Sequence, residues 1–243
     1  MFEFLRSRLR PHEVKVGFCT LAIRAPYRSR ARLLLADATE APWVVLTDEP
    51  GDFEGLEARV ICHAPIGPMA EEFLTWKGNG MGRPAYHDKR FALQATLKEF
   101  ETAIFVDADS RMNGVPKLPI FPPGVAAVKE VYASITEHLS RWGSHRLPAF
   151  EELALQLTGS KETLESARWC SEALFAITKD GNESKFFDAW DYSAEFLHRK
   201  NLFSGEGGVI GLAAVCAGWK VNYNTLSKLA AVTHHEGLGP KSS

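Results

Sequence analysis

Residues 102–112 read Thr102-Ala-Ile-Phe-Val-Asp107-Ala-Asp109-Ser-Arg-Met112, and this stretch decides the fold. Its first five residues form a short, continuous apolar run, which is typical of a strand buried on both faces in an α/β sheet. Two aspartates follow the strand at once. Because strand side chains alternate in direction, Asp107 and Asp109 are expected to point the same way. The stretch therefore predicts an acidic site at the end of a central strand.

A divalent metal ion is the predicted occupant of this acidic site. Two like charges held this close raise each other's pKa unless a cation lies between them. Oxygen ligands suit Mg²⁺ or Mn²⁺, and a metal on Asp107 and Asp109 keeps coordination positions for phosphate oxygens. The carboxyl edge of an open α/β sheet is also where ligands bind. The alternative is a plain turn, since Asp is a favoured turn residue, but the apolar run before it favours the metal site.

The chain on the amino-terminal side of this stretch alternates between strands and helices. The pattern predicts strands at 14–22, 41–48 and 58–63 and helices at 28–38 and 86–100. Leu33, Leu34 and Leu35 are placed on the buried side of the first helix. This alternation predicts a mainly parallel sheet with helices on both faces. Thr20, Leu21 and Ala22 end the first strand and are expected at its ligand-binding edge.

The remaining segments give a less regular pattern. Strands are predicted at 124–131, 169–178 and 219–224, and helices within 140–165, 185–201 and 209–217. Residues 65–84 contain Gly78, Gly80 and Gly82 and are predicted to form a mobile surface loop, or a lid. The sequence has no internal repeat and no low-complexity linker. It therefore predicts one domain.

Composition excludes several classes of protein. The chain has 243 residues, 45% of them hydrophobic, which suits one large α/β domain. A net charge of -2 gives no sign of nucleic-acid binding. No stretch approaches the length of a membrane span, although the apolar and basic residues 1–10 could touch an anionic membrane surface or simply fray. Scattered cysteines without a C-x-x-C pair favour a reducing, cytoplasmic location: Cys19, Cys62, Cys170 and Cys216.

Taken together, these motifs resemble a GT-A glycosyltransferase, most closely the retaining glycosyltransferase family 6, which includes the blood-group A and B transferases. The resemblance covers most of the chain from Lys15 onward. Four stretches carry it: the basic pair Lys89-Arg90 and the helix leading to Asp109, residues 124–142, Gly205-Glu206 before a helix, and His235-Glu-Gly-Leu238. A similar H-x-G near a C-terminal Lys occurs in the glycogenin-like retaining family. The chain departs from family 6 in having Gly205 where Asp is expected, and in lacking a stem or membrane anchor, which suggests a soluble enzyme.

The resemblance implies a metal-dependent hexosyltransferase with a GT-A fold. Residues 14–112 would form the nucleotide-sugar-binding half and residues 113–243 the acceptor half with the C-terminal tail. A hexose of the Gal, GalNAc or Glc type would move, with retention, from a UDP-sugar to a sugar or another hydroxyl acceptor. The cofactor would be Mn²⁺ or Mg²⁺.

The resemblance also implies a set of site residues. Glu206 is the candidate carboxylate facing the sugar, as nucleophile or cation stabiliser by analogy with retaining glycosidases. Metal binding is assigned to Asp107, Asp109 and His235, with the tail at 234–241 closing over the donor. Binding of the nucleotide sugar is assigned to Thr20, Leu21, Ala22, Lys89, Arg90, Asp107, Ala108, Asp109 and Lys241.

Several of these assignments have structural alternatives. Lys89 and Arg90 could lie on a solvated helix face, and Glu206 could stabilise the dipole of the next helix. Trp169 could offer an aromatic face to an acceptor sugar or lie in the core.

Two other functions remain open for the chain as a whole. In a haloacid-dehalogenase-type phosphatase, Asp107 would be the nucleophile. Such enzymes carry a lysine and an acidic pair further along the chain, which Lys179-Asp180 resembles. A catalytically inactive module that binds a nucleotide sugar would keep the metal site but would have no turnover.

Overall fold

The computed structural model describes residues 15–64, 86–128, 134–202, 205–226 and 232–234. The strands are β1 (Val16–Ala22), β2 (Trp43–Thr47), β3 (Ala58–Cys62), β4 (Thr102–Val106), β5 (Ser110–Met112), β6 (Gly124–Ala127), β7 (Leu174–Thr178) and β8 (Val232–His234). The helices are α1 (Ala25–Asp37), α2 (Lys89–Leu97), α3 (Ile135–Trp142), α4 (Leu147–Thr158), α5 (Thr163–Ser166), α6 (Glu183–Arg199) and α7 (Glu206–Cys216). Short 3-10 helices lie at Pro50–Phe53, Tyr86–Asp88 and Ser144–Arg146.

A six-stranded sheet in the order β3-β2-β1-β4-β7-β6 forms the centre of the protein. Strands β1 to β4 are parallel, whereas β7 runs antiparallel to both of its neighbours. Strands β5 and β8 form a separate antiparallel pair. The predicted α/β class is confirmed, and the sheet is mixed because of β7. Both predicted halves of the chain contribute strands to this one sheet.

The core lies on both faces of the sheet. In β4, Phe105 belongs to the apolar cluster with α2, α6 and α7, whereas Ile104 and Val106 belong to the cluster with α1. All five residues of β4 are buried, as the apolar run predicted. Burying a large apolar side chain is worth about 1.5–3 kcal/mol relative to leaving it exposed. The central strand is therefore fixed from both sides, and the residues that follow it start from a rigid position.

Some predicted boundaries are wrong for local reasons. Helix α1 begins at Ala25, three residues earlier than predicted, with Pro26 in its first turn, where a missing N–H costs nothing. Leu33 is 51% exposed, so only Leu34 and Leu35 face the core. The strand predicted at 219–224 is reduced to a single bridge between Asn222 and Ala126.

The helical segment predicted at 140–165 is several helices. Ser134 caps α3 by accepting a hydrogen bond from the Glu137 amide at 3.1 Å. Gly159 ends α4 with φ +78, a left-handed conformation that suits glycine. The strand predicted at 169–178 begins only at Leu174, and of the strand predicted at 124–131 the described part forms a strand to Ala127. Residues 1–10, the predicted loop at 65–84 and the tail from His235 onward lie outside the described residues.

Candidate functional site

The topology of the sheet defines a crevice at the carboxyl ends of β1 and β4. The chain passes from β1 to β2 and β3 on one side, and then returns to β4 on the other side of β1. Ligands of open α/β sheets bind outside such a switch point. Asp107 directly follows the last residue of β4, and the turn closes where the Ser110 amide donates to the Asp107 carbonyl at 2.9 Å. We call Asp107-Ala108-Asp109 the D-x-D turn, and it lies at this crevice.

Three further elements begin at the same edge of the sheet. Helix α2 precedes the parallel strand β4 and so runs against it, which places Lys89, its first residue, at the carboxyl edge. Strand β7 is antiparallel to β4, so the residues before it meet the D-x-D turn, and the Asp107 amide donates to the Ala173 carbonyl at 2.9 Å. The segment before β7 also holds α7, since the Cys170 amide donates to the Gly207 carbonyl at 3.1 Å.

Lys89 is the centre of the resulting cluster. Its Nζ lies 3.1 Å from Asp107 Oδ1 and 3.4 Å from Glu206 Oε1, and it donates to the Glu172 carbonyl oxygen at 3.0 Å. The residue is only 3% exposed, so the alternative of a solvated helix face is wrong for it. Burial alone would lower the pKa of Lys89, but the charges of Asp107, Glu206 and Glu172 outweigh burial and raise that pKa above its ordinary value. Lys89 is therefore a charged, buried link between the D-x-D turn and Glu206.

Glu172 is a second glutamate in this cluster, and the sequence analysis missed it. Its Oε2 is closed off from solvent and has no hydrogen-bond partner in the described part of the chain. Burial, followed by the charge of Glu206, raises the pKa of Glu172 well above its ordinary value, although Lys89 and Arg146 oppose this shift. Burial also lowers the pKa of the Arg146 guanidinium, whereas the charges of Glu172 and Glu206 act to raise it. We call Asp107, Glu172, Glu206, Lys89 and Arg146 the Lys89 cluster.

Asp109 belongs to a different neighbourhood from Asp107. Arg30 of α1 places Nη1 3.8 Å from Asp109 Oδ2. Two partly exposed tyrosines, Tyr27 and Tyr86, also border the D-x-D turn. The pKa of Tyr27 is raised by burial and then by the charges of Asp109 and Asp107, and that of Tyr86 by burial and then by Glu206. The two carboxylates therefore have separate basic partners, with tyrosine rings beside them.

Other predicted site residues are placed less favourably. Arg90 is buried, but it donates to the His87 carbonyl at 2.6 Å and pairs with Asp88 and Asp191, so it does not join Lys89 in the crevice. Thr20, Ala22 and Ala108 are buried, whereas Leu21 is partly exposed. The Thr20 hydroxyl is a buried polar atom without a hydrogen-bond partner in the described residues.

Trp169 is a core residue. It is 3% exposed and stacks on His138 with 3.4 Å between ring centroids, so it offers no open face to an acceptor sugar. Its neighbours explain the glycines at the start of α7. A Cβ on Gly207 would lie 2.4 Å from the Trp169 ring and 2.5 Å from Glu172 Oε2, and one on Gly208 would lie 2.7 Å from Phe150. These glycines make room for the side chains of Trp169, Glu172 and Phe150.

Gly205 also has a local explanation. Its φ is +104, a conformation that residues with a side chain rarely adopt. An Asp at this position, which the resemblance leads one to expect, would be strained. A Cβ there would also lie 3.0 Å from Arg146 Nη1 and 3.1 Å from Phe150. The glycine is thus required by the turn into α7.

A divalent metal suits the D-x-D turn in charge and access. The side chains of Asp107 and Asp109 are 26% and 16% exposed, so both are reachable from the crevice. Their oxygens are of the type that Mg²⁺ and Mn²⁺ prefer. Lys89 lies 3.1 Å from Asp107 and Arg30 lies 3.8 Å from Asp109, so each carboxylate also has a basic group beside it. Within the described ranges no three His, Cys, Asp or Glu side chains form a complete metal-binding group.

The predicted third ligand, His235, and Lys241 lie outside the described residues. Strand β8 nevertheless brings the chain close to the site, because His234 pairs with Ser110, the residue after Asp109. The backbone up to His234 therefore lies near the D-x-D turn, and the closing of residues 234–241 over a donor stays a prediction.

No protein-family model matches the chain, and no curated protein matches it significantly. In the segments that the structure describes, no helix has the length and apolar character needed to cross a membrane.

Proposed function

We propose that the protein is a metal-dependent glycosyltransferase with a GT-A type fold, which moves a hexose from a UDP-sugar to a hydroxyl acceptor with retention. The observation that carries this proposal is the position of the D-x-D turn. It lies at the switch point of the sheet, where nucleotides bind in open α/β folds, and it faces a cluster of buried charged groups.

Asp107 and Asp109 are the residues that would hold the metal, together with His235 and, at the phosphates, Lys241. When bound, a divalent cation neutralises charge that develops on a departing diphosphate. Lys89 was expected to bind the nucleotide sugar, but in the structure it contacts other protein groups. Its ammonium group is occupied by protein oxygens at 3.0–3.4 Å, so it fixes Asp107 relative to Glu206.

Glu206 is the proposed catalytic carboxylate. Its Oε1 lies 3.4 Å from the Lys89 ammonium group and its side chain is 4% exposed, so an ion pair holds the carboxylate in place, and a carboxylate is the group that serves as nucleophile or as stabiliser of a sugar cation. Glu206 is also the first residue of α7, where a negative charge stabilises the helix dipole. The two roles are compatible, because an ionised carboxylate held at a helix start is also preorganised.

The phosphatase alternative loses part of its support. The Lys179 amide donates to the Glu101 carbonyl at 3.0 Å, and Glu101 precedes β4 whereas Asp107 follows it. The five residues of β4 span roughly 16 Å at about 3.3 Å per residue. Lys179 and Asp180 therefore lie at the opposite edge of the sheet from Asp107.

Metal-dependent UDP binding tests the proposal directly. At UDP and Mn²⁺ concentrations about 100 times their dissociation constants, binding should add about 2.7 kcal/mol. For a domain of this size that is a rise in Tm of roughly 5–10 °C. Asp107→Asn and Asp109→Asn should each abolish the rise, whereas the exposed Asp188→Asn on α6 should retain it. Equal UDP binding by the parent and both D-x-D variants would refute the proposed site.

Turnover assays separate the three functions. Slow UDP release from a UDP-hexose indicates transferase activity, whereas hydrolysis of p-nitrophenyl phosphate indicates a phosphatase. Binding of UDP-sugars without any release indicates a binding module. In a transferase, Glu206→Gln should lower transfer by orders of magnitude and leave UDP binding nearly unchanged, because the carboxylate acts in the transition state.

A further inference from the structure

Glu172 is a carboxylate for which the Lys89 cluster supplies no hydrogen bond. Its Oε2 is closed to solvent and lacks a partner among the described residues. Folded proteins satisfy the great majority of their buried polar groups, and each exception calls for an explanation. Glu172 as a whole is partly exposed, so the exception is this one carboxylate oxygen, and a buried polar atom without a hydrogen bond is costly.

Lys89 does not supply the missing hydrogen bond. An ammonium group has three N–H donors. Among the described residues, three oxygens lie within 3.4 Å of Lys89 Nζ: Asp107 Oδ1, Glu206 Oε1 and the backbone carbonyl oxygen of Glu172. Lys89 therefore holds the backbone of Glu172 and not its carboxylate.

The position of Glu172 is nevertheless tightly fixed. Its own carbonyl accepts from Lys89 at 3.0 Å, and the next carbonyl, of Ala173, accepts from the Asp107 amide at 2.9 Å. Its side chain lies so close to α7 that a Cβ on Gly207 would come within 2.5 Å of Oε2. A glutamate held this firmly beside the D-x-D turn, with hydrogen-bonding capacity unused, is preorganised to accept a hydrogen bond from a ligand.

We propose that Glu172 contacts the substrate and determines donor specificity, its carboxylate accepting a hydrogen bond from one hydroxyl of the sugar being transferred. This inference rests on the proposed glycosyltransferase function. It adds a second carboxylate to the sugar site and separates two roles. Glu206, paired with Lys89, acts on the reacting carbon, whereas Glu172 recognises a hydroxyl.

The test combines variants of Glu172 with altered donors. UDP-glucose and UDP-galactose are compared with analogues in which each ring hydroxyl in turn is replaced by hydrogen, and kcat/KM for UDP release is measured. In the parent, removing the recognised hydroxyl should cost about 10- to 100-fold, the usual effect of losing a hydrogen bond to a charged group. In Glu172→Ala that penalty should vanish, because the partner of the hydroxyl is gone. Glu172→Gln, which keeps the shape, should show a smaller penalty than the parent, and the exposed Glu165→Gln should behave like the parent.

Stability supplies a second readout that separates recognition from a structural role. Because the carboxylate is unsatisfied in the free protein, Glu172→Gln should leave Tm unchanged or raise it while lowering kcat/KM. A fall in Tm with unaltered donor selectivity would overturn the inference. Persistence of the full deoxy-sugar penalty in Glu172→Ala, with normal metal-dependent UDP binding, would overturn this inference alone. Absence of UDP binding in the parent would overturn the proposed function together with it.

Discussion

Replacing Lys89 with methionine tests the central contact of the site. Methionine keeps an unbranched, apolar stem of similar length and removes the ammonium group. In the parent that group lies 3.1 Å from Asp107 and 3.4 Å from Glu206. Without it, the Glu206 side chain, only 4% exposed, remains as a buried negative charge beside Glu172. We expect Lys89→Met to be strongly destabilising.

The size of the effect follows from the burial of each partner. Removing one member of a buried ion pair typically costs about 3–5 kcal/mol. Asp107 contributes less to this cost than Glu206, because its side chain is 26% exposed and water can replace part of the interaction. At roughly 2–4 °C per kcal/mol for a domain of this length, Tm should fall by about 6–20 °C. Lys98→Met, at an exposed position just after α2, is the matched control and should change Tm by no more than about 1–2 °C.

The pH dependence identifies the cause. In the parent the charge of Lys89 opposes the rise in the pKa of Glu172, so without Lys89 the ionised form of Glu172 is more costly, and acid removes that cost by protonating the carboxylate. The difference in Tm between parent and variant should therefore narrow as the pH is lowered from 7.5 to 5, whereas a packing defect would persist at every pH. Thermal unfolding at three pH values, followed by circular dichroism, measures this. A variant as stable as Lys98→Met, or a difference independent of pH, would refute the buried ion pair.

Three further changes test other features of the structure. Gly211→Ala should lower the free energy of unfolding in urea by about 1–3 kcal/mol, because the new Cβ would lie 2.1 Å from the Arg168 carbonyl oxygen, a backbone atom that cannot rotate away. An unchanged urea midpoint would contradict the close approach of α7 to the backbone of Arg168. Arg24→Gly should stabilise the protein by up to about 1 kcal/mol, because Arg24 has φ +78 and ψ 151, a backbone conformation that is strained for any residue except glycine. The amide of residue 24 can still donate to Asp48 at 3.1 Å in the variant. A lower urea midpoint in the variant would count against backbone strain at this position. The pKa of Glu172 in the folded state lies above the ordinary value of about 4.3, so the parent loses stability as the pH rises and Glu172 ionises. Glutamine does not ionise, and the Tm of Glu172→Gln should therefore rise relative to that of the parent as the pH rises. Tm curves that stay parallel between pH 4 and 8 would show that Glu172 keeps its ordinary pKa on folding.

Local sequence determined the central strand and the acidic turn. A run of apolar residues fits a strand buried on both faces, and β4 is buried on both faces. The place of the D-x-D turn at a sheet edge follows from the same pattern, because β-α-β units align the carboxyl ends of parallel strands. The position of Lys89 is also accessible from sequence, since a helix that leads into a parallel strand must begin at that edge. Its partners Glu172 and Glu206 are not, because they lie 83 and 117 positions away along the chain, in other elements.

Glu172 shows what only the tertiary structure decides. In sequence it is a glutamate before an apolar run, and nothing local tells which way that strand runs. The antiparallel pairing of β7 with β4 brings Glu172 to the D-x-D turn, and a parallel strand would have carried it to the opposite edge, where Lys179 now lies. The same applies to the glycines of α7, whose neighbours Trp169 and Phe150 are set by how the helix packs. Periodicity records which faces of a segment are buried, whereas strand direction and charge pairing depend on long-range contacts that a local pattern does not encode.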